Sequence, residues 1–153
     1  MTPAGLEEAI AIALEAHRGQ VDKAGAPYIL HPLRVMFAVR SEPARIVAVL
    51  HDVVEDTAWT LEGLAARGFA PGVMTSLDSL THREGESYES FVGRVASDGL
   101  ATEVKLADLA DNLDASRLGG EDGLTARDQK RMEKYRAAWR QLTGATYPER
   151  SSV

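Results

Sequence analysis

The stretch EPARIVAVLHDVVEDT, residues 42–57, sets the architecture of the chain. Ile46, Val47, Leu50, Val53 and Val54 follow the i, i+1, i+4, i+7, i+8 spacing of a wide apolar stripe on an α-helix. Ser41 and Pro43 mark its start, because a serine hydroxyl accepts from the unpaired amides of a first turn and proline sits there without losing a hydrogen bond. The spacing predicts one helix from Ser41 to about Asp56. Into it the sequence places His51, Asp52, Glu55 and Asp56. Burying such groups is costly unless each is paired, hydrogen-bonded or bound to a metal, so partners must come from elsewhere in the chain.

Working outward, Leu6, Ala9, Ile10, Ala13, Leu14 and His17 recur at helical spacing, with Gly19 as a stop. QVDKAGAPYIL, residues 20–30, has no period and reads as a loop leading into HPLRVMFAVR, where Pro32 suits a first helical position and His31 lies at the helix entrance. Downstream, Thr60 caps a short helix ending at Gly68, Pro71 opens another, and Ser87 caps a third. LATEVKLADLADNLDASRL, residues 100–118, reads as helix until GGEDG breaks it. Thr125 with Asp128 forms a capping-box pattern for a last helix, with Met132, Tyr135, Trp139 and Leu142 on one face before Gly144. There is no alternating strand pattern, repeat or low-complexity segment. The expected fold is all-α and single-domain, with the last nine residues frayed.

Composition narrows the chemistry. A chain of 153 residues suits one domain, and 44% hydrophobic with 26% charged residues is an ordinary globular balance. No apolar run approaches the roughly 20 residues that cross a bilayer. The first 20 residues carry Glu7, Glu8 and Glu15 and lack a basic signal-peptide start, so a cytoplasmic protein without membrane partners is expected. A net charge of −6 argues against a general nucleic-acid binder, which needs a basic face. With no cysteine, any metal must be held by His, Asp, Glu or backbone oxygen.

That search ends on few residues. His31 precedes Pro32, His51 adjoins Asp52, and Lys105, Asp108 and Asn112 fall at i, i+3 and i+7 of a second apolar helix. If His31, His51, Asp52 and Asp108 converge, two imidazoles and two carboxylates make a site for a divalent transition metal. The alternative is a satisfied core histidine, with the acids capping helices or pairing with Arg34, Arg45 and Lys105.

The pattern H…HD…D formed by His31, His51–Asp52 and Asp108 resembles the metal-binding signature of HD-domain phosphohydrolases. HRGQVDKAGAPYILHPLRV, VLHDVVEDT and VKLADLADNL resemble, in order and spacing, the hydrolase domain of RelA/SpoT proteins and its stand-alone relatives, the small alarmone hydrolases, including their metazoan SpoT-like members. The match runs from about His17 to Leu113. It implies an HD domain over residues 1–144 with a tail over 145–153, a Mn2+ ion on His31, His51, Asp52 and Asp108, and hydrolysis of the 3′-pyrophosphate of guanosine tetra- or pentaphosphate. Glu55 and Asp56 match the family's ED pair and would orient or deprotonate water. Lys23, Tyr28, Lys105 and Asn112 match substrate-contacting positions. His17 and His82 are not expected as ligands.

Two departures bear on the substrate. Asp22 stands where the family loop GQxRKxGxPY has arginine, and a carboxylate neither stacks on a base nor attracts phosphate. Leu109 and Asp111 replace the Arg and His of the commoner KLADRLHN. The machinery thus matches better than the substrate-reading residues. Iron, zinc, cobalt or nickel also suit the donors. Three readings stay open: an alarmone hydrolase, an HD phosphohydrolase of another nucleotide or phosphorylated metabolite, and a nucleotide-binding sensor with little turnover. There is no room for a synthetase domain, so hydrolysis alone is expected. Apolar faces on short helices leave a homodimer open.

Overall fold

A computed structural model describes residues 2–148; the expected fraying of the tail falls partly outside them, at residues 149–153. Nine α-helices follow one another among the described residues: α1 Leu6–Ala16, α2 Leu30–Ala38, α3 Glu42–Leu50, α4 Val53–Asp56, α5 Leu61–Ala66, α6 Pro71–Ser79, α7 Tyr88–Ala96, α8 Gly99–Asn112 and α9 Ala126–Thr143. The nearest approach to a strand is one isolated bridge, Val21 to Pro27, inside the loop between α1 and α2. No described helix is long and apolar enough to cross a membrane.

The apolar run of α3 is the centre of the fold. Ala44, Ile46, Val47, Ala48, Val49 and Leu50 are all buried, because α1, α2, α6 and α8 pack around the helix. A helix enclosed on so many sides needs apolar residues around most of its circumference, which is what RIVAVL supplies. Beside it, Val92, Leu109 and Ala138 form a smaller core where α9 crosses α7 and α8, with Tyr135 and Trp139 packed against it.

The starts expected from capping chemistry are present. Side chains of Ser41, Thr60 and Ser87 accept from Ala44, Gly63 and Ser90 amides. Thr125 and Asp128 complete a reciprocal capping box on α9, which ends at Gly144 in the left-handed conformation (φ 73°) that glycine adopts without strain.

Three extents differ from the sequence expectation. The helix through residues 41–56 is broken: α3 stops at Leu50, His51 and Asp52 form a turn, and α4 is a single further turn. The His51 ring explains the break, since its Nδ1 lies 2.5 Å from the Ala48 carbonyl oxygen and competes for it with the backbone. α2 begins at Leu30, two residues before Pro32, so His31 is already in its first turn. α8 ends at Asn112, and Asp114 caps a separate 3-10 turn over Ala115–Leu118 by accepting from the Ser116 amide.

Candidate metal centre

The break after Leu50 brings His51 and Asp52 to one point. Adjacent residues on a regular helix diverge by about 100°, yet here His51 Nε2 lies 3.1 Å from Asp52 Oδ2. The first turn of α2 adds His31, whose Nε2 is 3.5 Å from Asp52 Oδ2 and 3.0 Å from Asp108 Oδ1. α8 contributes Asp108, with Oδ1 3.2 Å from His51 Nε2. The four residues expected to share a metal therefore converge, with His31, His51 and Asp108 buried and offering ligand atoms within 4.8 Å of one another.

The donor set fits a first-row divalent ion. Bond lengths of about 2.0–2.2 Å place neighbouring ligand atoms about 3.0–3.5 Å apart in octahedral or tetrahedral geometry, the range of the four imidazole–carboxylate separations above. Both rings also turn the same atom inward. The Ala48 carbonyl can only accept, so His51 Nδ1 carries the proton and Nε2 faces the carboxylates. His31 Nδ1 lies 2.6 Å from Asp111 Oδ2, which imposes the same orientation.

Without an ion, protons balance the acids. Burial alone would lower both imidazoles, but the carboxylates outweigh it: hydrogen bonds with Asp108, Asp111 and Asp52 raise His31 to about 11, and the charges of Asp52 and Asp108 raise His51 to about 10. Burial would raise Asp52 and Asp108, yet the imidazoles and, for Asp108, the Lys105 ammonium hold them well below the usual carboxylate range.

The partners of these acids account for several other residues. Lys105 Nζ donates to Asp108 Oδ2 at 3.0 Å and Asn112 Nδ2 to Asp108 Oδ1 at 3.1 Å, so the i, i+3, i+7 face is one hydrogen-bonded unit. Tyr28 donates its hydroxyl to Asp52 Oδ2 at 2.5 Å, which commits that group to the cluster. Arg34 pairs with Asp111 and Arg45 with the Val39 carbonyl, so neither neutralises the four-residue cluster directly.

His31, Asp52 and Asp108 line a cavity of about 600 Å³, whereas His51 is not among its lining residues. Lys105, Arg117, Arg131 and Lys134 bring cations to its lining, beside Asp114, Asp128, Tyr88 and Tyr135. Lys23, Tyr28, Asn112 and Glu55 also line it, whereas Asp56 is not among the lining residues. Glu55 accepts a hydrogen bond from the His82 amide. Desolvation by the surrounding protein, with the charge of Asp52, raises both the Glu55 and Asp56 carboxyls.

Asp22 lines the same cavity, with one carboxylate oxygen already engaged. Its Oδ1 accepts from the Ala24 and Ala26 amides, both at 2.9 Å, and so folds its own loop. Lys23 reaches Asp128 at the start of α9, 3.5 Å away. His17 is more embedded than the end of a helix suggests: it is buried, its Nδ1 pairs with Gln20 Oε1 at 2.9 Å, and its Nε2 is without a hydrogen-bond partner. Gln20 in turn donates to the Asp56 carbonyl at 3.1 Å, tying the α1 end to the α4 turn.

Sequence reasoning passed over Arg117, Arg131 and Lys134, and singled out Asp111 only as a departure from the family motif, not as a partner of His31. The first three lie on charged faces with no local mark of the cavity they line, and Asp111 is 80 residues from its partner His31.

An all-helical domain that gathers H…HD…D side chains in this way is an HD domain. Known proteins agree. No family model matches the chain. A GTP pyrophosphokinase of Streptomyces coelicolor is 35% identical over 125 residues, covering 73% of this chain and 15% of the relative. The guanosine-3′,5′-bis(diphosphate) 3′-pyrophosphohydrolase of Haemophilus influenzae is 32% identical over 117 residues, covering 67% and 17%. A solved structure described as a metazoan ortholog of SpoT that hydrolyses ppGpp superposes with a TM-score of 0.77 at 25% identity, covering 95% of this chain and 90% of that one. The chain belongs to the RelA/SpoT-type family of HD domains. It spans only 15–17% of the length of the curated relatives it matches.

Proposed function

We propose that residues 1–144 form a metal-dependent hydrolase that removes the 3′-pyrophosphate of guanosine tetra- and pentaphosphate, with Mn2+ as its ion and the cytoplasm as its compartment. The observation that carries this reading is the convergence of His31, His51, Asp52 and Asp108 at a cavity that His31, Asp52 and Asp108 line together with Lys105, Arg117, Arg131 and Lys134. A polyanionic nucleotide requires both features. The names of the hydrolase relatives and of the structural neighbour support the substrate, and the acidic, cysteine-free composition suits the compartment.

A divalent ion, when bound, supplies Lewis-acid polarisation of the phosphoryl group and makes water a better nucleophile. The chain does the rest. Water adds to the phosphorus attached to O3′, the O3′–P bond breaks, and O3′ takes up a proton, giving GDP or GTP and pyrophosphate. Glu55 takes the proton of the attacking water, a role supported by its hold on the His82 amide and its raised carboxyl. Gln20 donates to the Asp56 backbone carbonyl and so ties down the turn that carries Glu55 and Asp56. Lys105 spends one hydrogen bond on Asp108 and keeps others for phosphoryl oxygens. Arg117, Arg131 and Lys134 neutralise the remaining phosphate charge.

One observation favours a second reading, the same chemistry on a different nucleotide. Asp22 occupies the base-reading loop and uses its carboxylate to fold that loop, leaving guanine selection to other groups. Purified, manganese-loaded protein offered guanosine tetraphosphate, other 3′-phosphorylated nucleotides, NADPH and 5′-monophosphates separates the two. Pyrophosphate release from guanosine tetraphosphate alone supports the first reading, and release of phosphate from another compound supports the second. Tight nucleotide binding without turnover would refute both.

A further inference from the structure

Asp111 stands where the commoner motif has histidine, and its surroundings are built with more care than a helix-surface acid needs. Its Oδ2 lies 2.6 Å from His31 Nδ1, on the side of the ring opposite the cluster. Arg34 grips the same carboxylate with two bonds, Nε to Oδ1 at 2.7 Å and Nη2 to Oδ2 at 3.1 Å. Arg117 approaches Oδ1 at 3.5 Å and donates to the Asp111 carbonyl oxygen at 3.1 Å. The acid therefore has little rotational freedom, and neither has the ring it holds.

An ionised carboxylate has only acceptor atoms, so the bond at 2.6 Å requires the proton on His31 Nδ1. Once the second ring proton is given up to a cation, the lone pair belongs to Nε2, the atom 3.0 Å from Asp108 and 3.5 Å from Asp52. His51 receives the same instruction from the Ala48 carbonyl, a backbone group that cannot vary with sequence. His31 has no such backbone partner. Its tautomer and ring angle depend on a side chain, and that side chain depends on two arginines.

We propose that Asp111, clamped by Arg34 and Arg117, is a positioning residue that fixes the tautomer and orientation of His31 for the metal. The role rests on the metal-centre reading above and adds a residue to it. A carboxylate behind a ligating imidazole is worth roughly 10–100-fold in metal affinity, and the clamp makes Asp111 a fixed support and not a solvated acid. Arg34 and Arg117 also line the substrate cavity, so the same pair connects the cavity wall to the metal ligand.

The test compares wild type with Asp111→Asn. Metal-free protein is titrated with Mn2+ by calorimetry, and 15N-histidine-labelled protein loaded with diamagnetic Zn2+ is read by NMR for the His31 Nδ1–H resonance. The expected result is a roughly 10–100-fold weaker affinity in Asp111→Asn, with a strongly downfield His31 Nδ1–H in wild type that moves upfield or broadens in the variant while helical circular dichroism is unchanged. Equal affinities with an unmoved His31 resonance overturn the proposal. A wild type that binds no metal overturns the metal-centre reading itself, and the wild-type titration alone identifies that failure. Should Asp111→Asn not fold, Arg34→Gln removes the clamp and leaves Asp111 in place. A weaker Mn2+ affinity with a shifted His31 resonance supports the role, and unchanged values refute it.

Discussion

Replacing Asp108 by asparagine removes a carboxylate on which four donors converge: Lys105 Nζ at 3.0 Å on Oδ2, with Asn112 Nδ2 at 3.1 Å, His31 Nε2 at 3.0 Å and His51 Nε2 at 3.2 Å on Oδ1. An amide of the same shape turns one acceptor into a donor and leaves the buried Lys105 ammonium without its counter-charge. Breaking one side of a buried ion pair costs about 3–5 kcal/mol. For a domain of this size that is a fall in Tm of about 6–20 °C. Lys105→Met is milder, about 1–2 kcal/mol, because Asp108 keeps three donors and the methionine stem still packs near the Tyr88 and Phe91 rings that lie 5.7 and 5.3 Å from Nζ. Urea and thermal denaturation of metal-free protein in chelator measure both variants and their combination. The double variant should cost less than the sum of the singles by about 1–3 kcal/mol. A loss below about 1 kcal/mol for Asp108→Asn, or additivity within about 0.5 kcal/mol, would show that the buried pair is not what holds this wall together.

Further outcomes follow from the same geometry. Because His31 and His51 are raised to about 11 and about 10, binding a cation to their Nε2 atoms near pH 7.5 should release close to two protons, read by calorimetry in buffers of different ionisation heat; release near zero would contradict the cluster. In the metal-free protein the same raised values stabilise the fold fully below about pH 6.5, and that contribution declines as pH rises and is gone above about 11; urea midpoints that climb over this interval would oppose the assignment. Asp22→Ala should cost about 1–2 kcal/mol by freeing the Ala24 and Ala26 amides and should raise KM more than it lowers kcat, whereas a changed kcat at constant KM would count against a loop role. Thr125→Ala should cost about 1 kcal/mol through loss of the α9 cap, checked by thermal denaturation.

The fold was largely written in the sequence because its signals are local. Ser41, Thr60, Ser87 and the Thr125–Asp128 box cap helices where their hydroxyls and carboxylates can reach amides three residues on. The break at His51 was not, since Ile46, Val47, Leu50, Val53 and Val54 keep helical spacing through it, and only the contact between a ring nitrogen and the Ala48 carbonyl reveals the turn. The His–Asp cluster was legible as residue types because an acid beside a histidine in an apolar helix demands compensation. Its supports were not. Asp111 meets His31 across 80 residues and Arg34 across 77, and no periodicity encodes such a contact. The 3-10 turn after Asn112 was hidden for a related reason: residues 113–118 hold neither glycine nor proline to stop a helix, and only the capture of the Ser116 amide by Asp114 redirects the chain.

The most direct measurement is an anomalous difference map at the manganese edge from a crystal soaked in Mn2+. One peak about 2.0–2.2 Å from His31 Nε2, from His51 Nε2 and from oxygens of Asp52 and Asp108 is expected. No peak in that cavity, or one that leaves either imidazole unbound, would contradict a shared ion and remove the chemical basis for phosphate hydrolysis at this site.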